Sequence, residues 1–337
     1  MKMKQIKSLQ IIGTQRSGSN LLRLMLDQVK EIIAPHPPHI LQNFMPLLDV
    51  YGDLQTESNF DQLVDDVCLF VKLNPVPWTG VQLERQKVKD RCASPSLVEV
   101  FKSVYEEAAE ANGAEIWCCK SMANLEYIPQ MEKAGFSPIY LHLYRDGRDA
   151  ALSFKKTIVG EKHFYSIAKK WREDQELCLK YCEQYAADRT IKVAYEELIE
   201  DPEKVLRRIF SKLELEYNDD VLNYHQSQDA RASAQAGQMW ANVAKPVLKD
   251  NSKKYLKEAT REELEIFEAV AGDMLQKLGY TLSSNSLVQL SKEDIKLYTE
   301  ENLRLKDAIK STVSKEDMEK RKPQADLLSA IKTRAAA

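Results

Sequence analysis

Residues 8–26 read SLQIIGTQRSGSNLLRLML, and the order of elements in this stretch decides the fold. A short apolar run, SLQII at 8–12, has the composition of a buried strand. A loop containing Gly13 and Gly18 follows, and an amphipathic helix is predicted over 20–30. Small residues let such a loop wrap its backbone around an anion. The N–H groups of Ser17, Gly18, Ser19 and Asn20 would point at that anion, reinforced by the positive end of the helix dipole. The spacing from Gly13 to Gly18 matches the first part of the phosphate-loop pattern G-x-x-x-x-G-K-[ST]. Ser19 stands where that pattern has its lysine, and Asn20 stands where the magnesium-binding hydroxyl would follow. The loop carries its cation earlier, as Arg16.

Outward from this point, short β-branched or apolar runs alternate with longer amphipathic segments up to about Tyr280. Strands are predicted at 8–12, 115–119 (EIWCC), 138–144 (PIYLHLY) and 190–195 (TIKVAY). Near-continuous apolar strands are those of a parallel sheet covered on both faces. Helices are predicted at 20–30, 96–112, 125–136, 149–156, 163–186, 202–212 and 260–278. The pattern is an α/β, P-loop-like three-layer fold: a central parallel sheet flanked by helices. Residues 1–285 form one domain on this reading, with 40–95, broken by Pro75, Pro77 and Trp78, as a candidate substrate-side lid. Residues 286–337 form a charged helical C-terminal extension. In it Ile295, Leu297, Leu303, Leu305 and Ile309 recur at helical intervals, consistent with a surface-lying helix or, less favoured, a homodimer contact.

The 337 residues carry 48 Lys+Arg against 51 Asp+Glu, a formal charge of −3, which argues against a general nucleic-acid binder. Six cysteines at 68, 92, 118, 119, 178 and 182 form neither a disulfide framework nor zinc knuckles, so reduced thiols and a cytoplasmic location are expected. The amino terminus is basic at Lys2, Lys4 and Lys7, but the apolar run after it is too short for a signal peptide. No stretch approaches the roughly 20 apolar residues of a membrane span.

A second informative stretch is YLHLYRDGRDAALSFKK at 140–156. Its buried strand ends in Arg145, and Ser153 lies about one turn into the next helix, so the two can converge on one phosphate outside the sheet. Magnesium-dependent phosphate sites place an Asp at such a strand end; here Arg comes first, which suits a metal-free phosphate.

At these residues the chain resembles the sulfotransferases that use 3′-phosphoadenosine-5′-phosphosulfate (PAPS). GTQRSGSN at 13–20 looks like their 5′-phosphosulfate loop, in the Arg-containing form of many bacterial and Golgi members. YRDGRDAALS at 144–153 looks like their 3′-phosphate motif. VAYEELIEDPEKVLRRIF at 193–210 is similar to a later segment of the family in which Tyr195 would lie near the adenine. AKPVLKD at 244–250 looks like the element closing over the nucleotide, with Lys245 as a phosphate contact. The resemblance covers about residues 8–280. It implies in-line transfer of a sulfuryl group from PAPS to a hydroxyl or amine, without a metal and with adenosine 3′,5′-bisphosphate as product. It also implies that Lys120, together with Arg16, stabilises the transferring group.

An acceptor hydroxyl must lose its proton as the new bond forms, so a base is needed within hydrogen-bond reach. The histidine that cytosolic members of the family carry is absent, because Lys120 is followed here by Ser121 and Met122. Two of the five histidines instead fall in EIIAPHPPHIL at 31–41, which returns toward the phosphate loop on a strand predicted at 31–34. Pro35, Pro37 and Pro38 stiffen this segment. His36 is the first choice for the base; His39 is second, or contacts the acceptor. The acceptor is expected to be a small hydroxylated molecule of the sterol, lipid or phenol class, with Phe44 and Trp78 among apolar residues that could line its pocket. Two other readings stand beside this one: a P-loop nucleotide kinase, disfavoured by Ser19 and Asn20, and a non-catalytic nucleotide-binding or scaffold protein.

Overall fold

Five short strands are built from the apolar runs of the sequence: β1 (Lys7–Ile12), β2 (Ile32–Ile33), β3 (Ile116–Cys119), β4 (Ile139–Tyr144) and β5 (Thr190–Ala194). The structure, a computed structural model, describes residues 6–236, 238–283, 288–310 and 315–334. Lys2 and Lys4 lie outside the described residues. All strand pairs are parallel and the sheet order is β2-β3-β1-β4-β5. β1 is therefore central, and the chain leaves it toward β2 and β3 on one side before crossing to β4 and β5 on the other. Ligands of such sheets bind in the crevice at the carboxyl ends of the strands, where the order reverses. β2 is shorter than its predicted 31–34 because Pro35 and the two prolines after it cannot donate to a ladder.

Strand alternation divides the core between the two faces of the sheet. Leu9, Ile11, Cys118, Leu141, Leu143 and Val193 pack on one face against the helices Ser19–Leu26 and Pro202–Leu213. Ile12, Trp117, Cys119 and Tyr140 face the other way, toward the helices Glu57–Lys72, Leu97–Ala111 and Phe164–Ala186. Cys118 and Cys119 thus point to opposite layers, and all six cysteines are free. Each large aliphatic side chain sealed this way contributes about 1.5–3 kcal/mol. A third cluster joins the helices Gly147–Lys155 and Arg261–Lys277 around Trp171 and Phe267.

Residues 40–95 supply a substantial share of the second layer: Leu41, Phe44, Leu63, Val64, Val67 and Phe70 are buried in its core. The charged C-terminal segment forms two helices, Lys292–Lys310 and Lys315–Arg334. The first sits on the body through Tyr298, stacked on His163 with ring centres 4.6 Å apart, and through polar groups: Asn302 accepts the N–H groups of Lys162 (2.7 Å) and His163 (3.0 Å), and Lys306 pairs with Glu161 at 2.9 Å. Leu297 and Leu303, apolar in the sequence pattern, are more than half exposed. The second is anchored by fully buried Ile331, by Gln324 donating to the Phe70 carbonyl (2.8 Å) and by an Arg334–Asp66 ion pair.

Candidate active site

The loop after β1 bends because its residues permit unusual backbone. Gly13 has φ 137°, and a Cβ there would stand 2.1 Å from the Leu143 carbonyl oxygen. Gly18 has φ 89°, and its missing Cβ leaves room for the Tyr195 ring. Arg16 is held at φ 70°, the left-handed region that costs a non-glycine residue about 1–3 kcal/mol and is concentrated at functional sites. The helix Ser19–Leu26 starts directly behind the loop, without a side-chain cap on its first N–H groups. An anion is a natural partner for such a start.

Arg145 emerges from the end of β4 beside this loop. It donates to the Arg16 carbonyl (3.2 Å) and the Asn251 carbonyl (2.8 Å), and its guanidinium carbon lies 4.5 Å from the centre of the Tyr195 ring. Arg16 donates in turn to the Ser153 hydroxyl at 3.0 Å, and Asn251 donates to the Tyr195 hydroxyl at 2.6 Å. Burial, then the nearby charge of Arg145, pulls Arg16 down to about 10. Tyr195, Ser153, Arg16 and Arg145 therefore form one connected cluster at the carboxyl ends of β1, β4 and β5. Arg148, only three residues from Arg145, turns the other way and is consumed by Asp146 and Glu268 inside the fold.

Several buried polar atoms of this cluster make no hydrogen bond within the protein: Ser17 Oγ, Arg145 Nε and Asp149 Oδ2, the last of which lies 3.8 Å from an Arg145 terminal nitrogen. Two donors and one acceptor of this kind fit a phosphorylated sugar, whose phosphates take hydrogen bonds and whose hydroxyls give them. Lys245 is exposed; its carbonyl accepts from the Tyr224 hydroxyl (2.8 Å), while its neighbours Pro246 and Val247 border the cleft.

A second group, His36, His39, Lys120 and Trp240, lines the same cleft of about 900 Å³. The Pro-rich segment is pinned by its backbone, since the His36 carbonyl accepts from Asn74 (3.0 Å) and from the Trp78 indole (2.7 Å). Both ring nitrogens of His36 are buried and unpartnered, and the ring meets Trp240 edge-on at 5.1 Å. Burial first, then the charge of Lys120, holds this imidazole well below its ordinary range. His39, at φ 61°, shares its Nδ1 with the Ser121 hydroxyl (2.8 Å), and burial together with Lys120 lowers it to about 3. Lys120 is itself lowered to about 7, mainly by burial and then by Arg23 and Arg16, and its Nζ lies 5.9 Å from the centre of the Trp240 ring.

Of the residues singled out in the sequence, Arg16, Gly18, Ser19, Asn20, Arg145, Ser153, Tyr195, His36, His39 and Lys120 all border this one cleft. Ser17 lies beneath it with its hydroxyl unpartnered. Phe44 and Trp78 are not brought to it: Phe44 is wholly inside the core and Trp78 is spent on its contacts with Tyr105 and the His36 carbonyl. Apolar lining comes instead from Met122, Leu152, Ile158, Val159 and Val243. Trp240 and Arg321 also border the cleft without a motif of their own; Trp240 sits four residues before the AKPVLKD element, the one local sign in the sequence that it belongs to the site. Among the described residues no group of three or more His, Cys, Asp and Glu could hold a metal ion, and no helix is long and apolar enough to cross a membrane.

Known proteins resemble this chain in sequence and in fold. Residues 9–219 match the sequence model described as "Sulfotransferase family". "Protein-tyrosine sulfotransferase A" of Caenorhabditis elegans is 26% identical over 286 residues, covering 81% of this chain and 67% of that protein. "Protein-tyrosine sulfotransferase 1" of Danio rerio is 24% identical over 282 residues, covering 81% of this chain and 72% of its own length. The sulfotransferase domain from the Synechococcus PCC 7002 olefin synthase superposes with a TM-score of 0.53 at 18% identity, covering 80% of this chain and 97% of that one. This last likeness is one of fold.

Proposed function

The chain belongs to the sulfotransferase family, and from that premise we propose that it moves the sulfuryl group of PAPS onto a hydroxyl of a small acceptor, with His36 as the general base. PAPS would supply an activated sulfuryl group on a good leaving phosphate. Arg16, the N–H groups of residues 17–20 and Lys120 would hold the 5′ end. Arg145 and Ser153 would hold the 3′-phosphate, with Tyr195 beside the base and Lys245 at the closing edge. Positive groups fixed in advance around a developing negative charge lower a transfer barrier without reorganising as the reaction proceeds.

The observation that carries the reading is the shared cleft: unsatisfied donors at the strand ends and an unpartnered neutral imidazole belong to the same cavity. A neutral His36 can accept a proton at any ordinary pH. Its basicity is reduced chiefly by burial and by Lys120, and an anion drawn to Lys120 would offset that charge and restore part of it. His39 has one nitrogen already engaged by Ser121 and so fits better as an acceptor contact. The names of the relatives put a phenolic hydroxyl first among acceptors, and the mixed apolar and polar walls suit a phenol better than a sterol. His36→Ala tests the role of the base. The expected result is a fall in kcat of about 10²–10⁴-fold with the affinity for adenosine 3′,5′-bisphosphate unchanged. Near-normal turnover in that variant would remove His36 from the mechanism.

A further inference from the structure

The helix Lys315–Arg334 lies outside the 9–219 match, yet Arg321 and Gln324 from it border the same cleft as His36. It is held there firmly. Ile331 is buried, Gln324 and Arg334 bind the helix Glu57–Lys72, and Lys320 donates to the Gln235 carbonyl at 3.2 Å. Gln324 is spent on that anchoring. Arg321 is not: its guanidinium carbon lies 5.8 Å from the centre of the Trp240 ring, and its Nε is buried with no hydrogen-bond partner. Glu316, five residues before it, is taken by Lys320 at 2.7 Å.

Trp240 is a common reference point. The His36 ring meets it at 5.1 Å, Lys120 at 5.9 Å and Arg321 at 5.8 Å. His36 and Arg321 can therefore be no farther apart than two of these spans laid end to end, the reach of one phenol bearing a short acid side chain. Arg16 and Arg145 belong to the group around Tyr195, whereas Arg321 joins His36 around Trp240, and its fork of donors suits a carboxylate or phosphate better than a neutral group. Its buried Nε lacks a hydrogen-bond acceptor, and a ligand that brings an anionic acceptor to it is selected by the difference.

We propose that Arg321 is a specificity-determining residue supplied by the C-terminal helix, and that the acceptor is an anionic hydroxylated small molecule whose carboxylate or phosphate binds Arg321 while its hydroxyl is presented to His36. The inference rests on the reading of this cleft as an acceptor site, and its test needs no turnover. The protein saturated with adenosine 3′,5′-bisphosphate is titrated calorimetrically with 3-(4-hydroxyphenyl)propionate and with the corresponding amide. The acid is expected to bind about tenfold more tightly than the amide, the worth of one charge-assisted hydrogen bond. Arg321→Gln should abolish that difference and Arg321→Lys should keep part of it, both with nucleotide affinity unaltered.

Equal binding of acid and amide, binding of neither, or a preference that survives in Arg321→Gln overturns the proposal. So does an equal loss of nucleotide affinity, which would make Arg321 a donor-side group. A preference that depends on Arg321 without sulfuryl transfer would leave the proposal standing and sink the sulfotransfer reading. Transfer without the preference would do the reverse.

Discussion

The two walls of the cleft are built in opposite ways. The donor wall comes from contiguous motifs at neighbouring strand ends: the loop after β1, Arg145 and Ser153 across the turn after β4, and Tyr195 directly after β5. The acceptor wall gathers His36, Lys120, Trp240 and Arg321 from four separate parts of the chain, meeting around one indole ring. A nucleotide site can be fixed by turn geometry alone, whereas an acceptor site is fixed by which distant segments happen to pack together. Perturbing the first should change nucleotide binding, and perturbing His36 or Arg321 on the second should change turnover and acceptor choice.

The His36→Ala variant stands at the top of the scale of expected effects, acting on turnover alone. Next comes Gly18→Ala on the other wall. The added methyl would meet the Tyr195 ring at 2.4 Å in a backbone conformation that alanine disfavours, and a loss of about 100-fold in affinity for adenosine 3′,5′-bisphosphate is expected, corresponding to roughly 3 kcal/mol. Equilibrium binding reads it, with thermal unfolding as a control for folding. An unchanged affinity would break the assignment of that loop.

A smaller effect links the walls through Lys120. Its pKa of about 7 in the folded protein means that the ammonium is present below that pH and lost above it. An anion beside it raises that value, so at pH 8 the wild-type protein should take up most of one proton as adenosine 3′,5′-bisphosphate binds. Calorimetry in buffers of different ionisation enthalpy measures this uptake, and Lys120→Met should eliminate it. The same sign makes kcat/KM fall as pH rises through about 7. Uptake persisting in Lys120→Met would assign the proton to another group.

The same contrast explains what could be read from the sequence. Strand runs such as PIYLHLY and the Gly13 to Gly18 spacing are local, and the strands and the glycine loop follow from them directly. The roles of Arg145 and Arg148 could be separated only partly: both are arginines in one short motif, but the helix turn sends one to the cleft and the other to Asp146 and Glu268. Phe44 and Trp78 look the same in sequence whether they line a pocket or fill a core, and long-range packing decided for the core. In the charged C-terminal segment apolar spacing reads only part of the docking face: Ile295, Leu305 and Ile309 are half-buried, whereas Leu297 and Leu303 face outward and the helix Lys292–Lys310 also docks through Tyr298, Asn302 and Lys306. Nothing local to Arg321 could reveal that its helix reaches the cleft.

One measurement bears on the whole account. The purified protein is incubated with ³⁵S-labelled PAPS and a metabolite extract, with and without excess adenosine 3′,5′-bisphosphate, and labelled products are identified by mass. The account predicts a labelled, hydroxyl-sulfated small molecule whose formation the competitor suppresses. Tight binding of the nucleotide with no acceptor ever labelled would contradict it and leave a nucleotide-binding protein that transfers nothing.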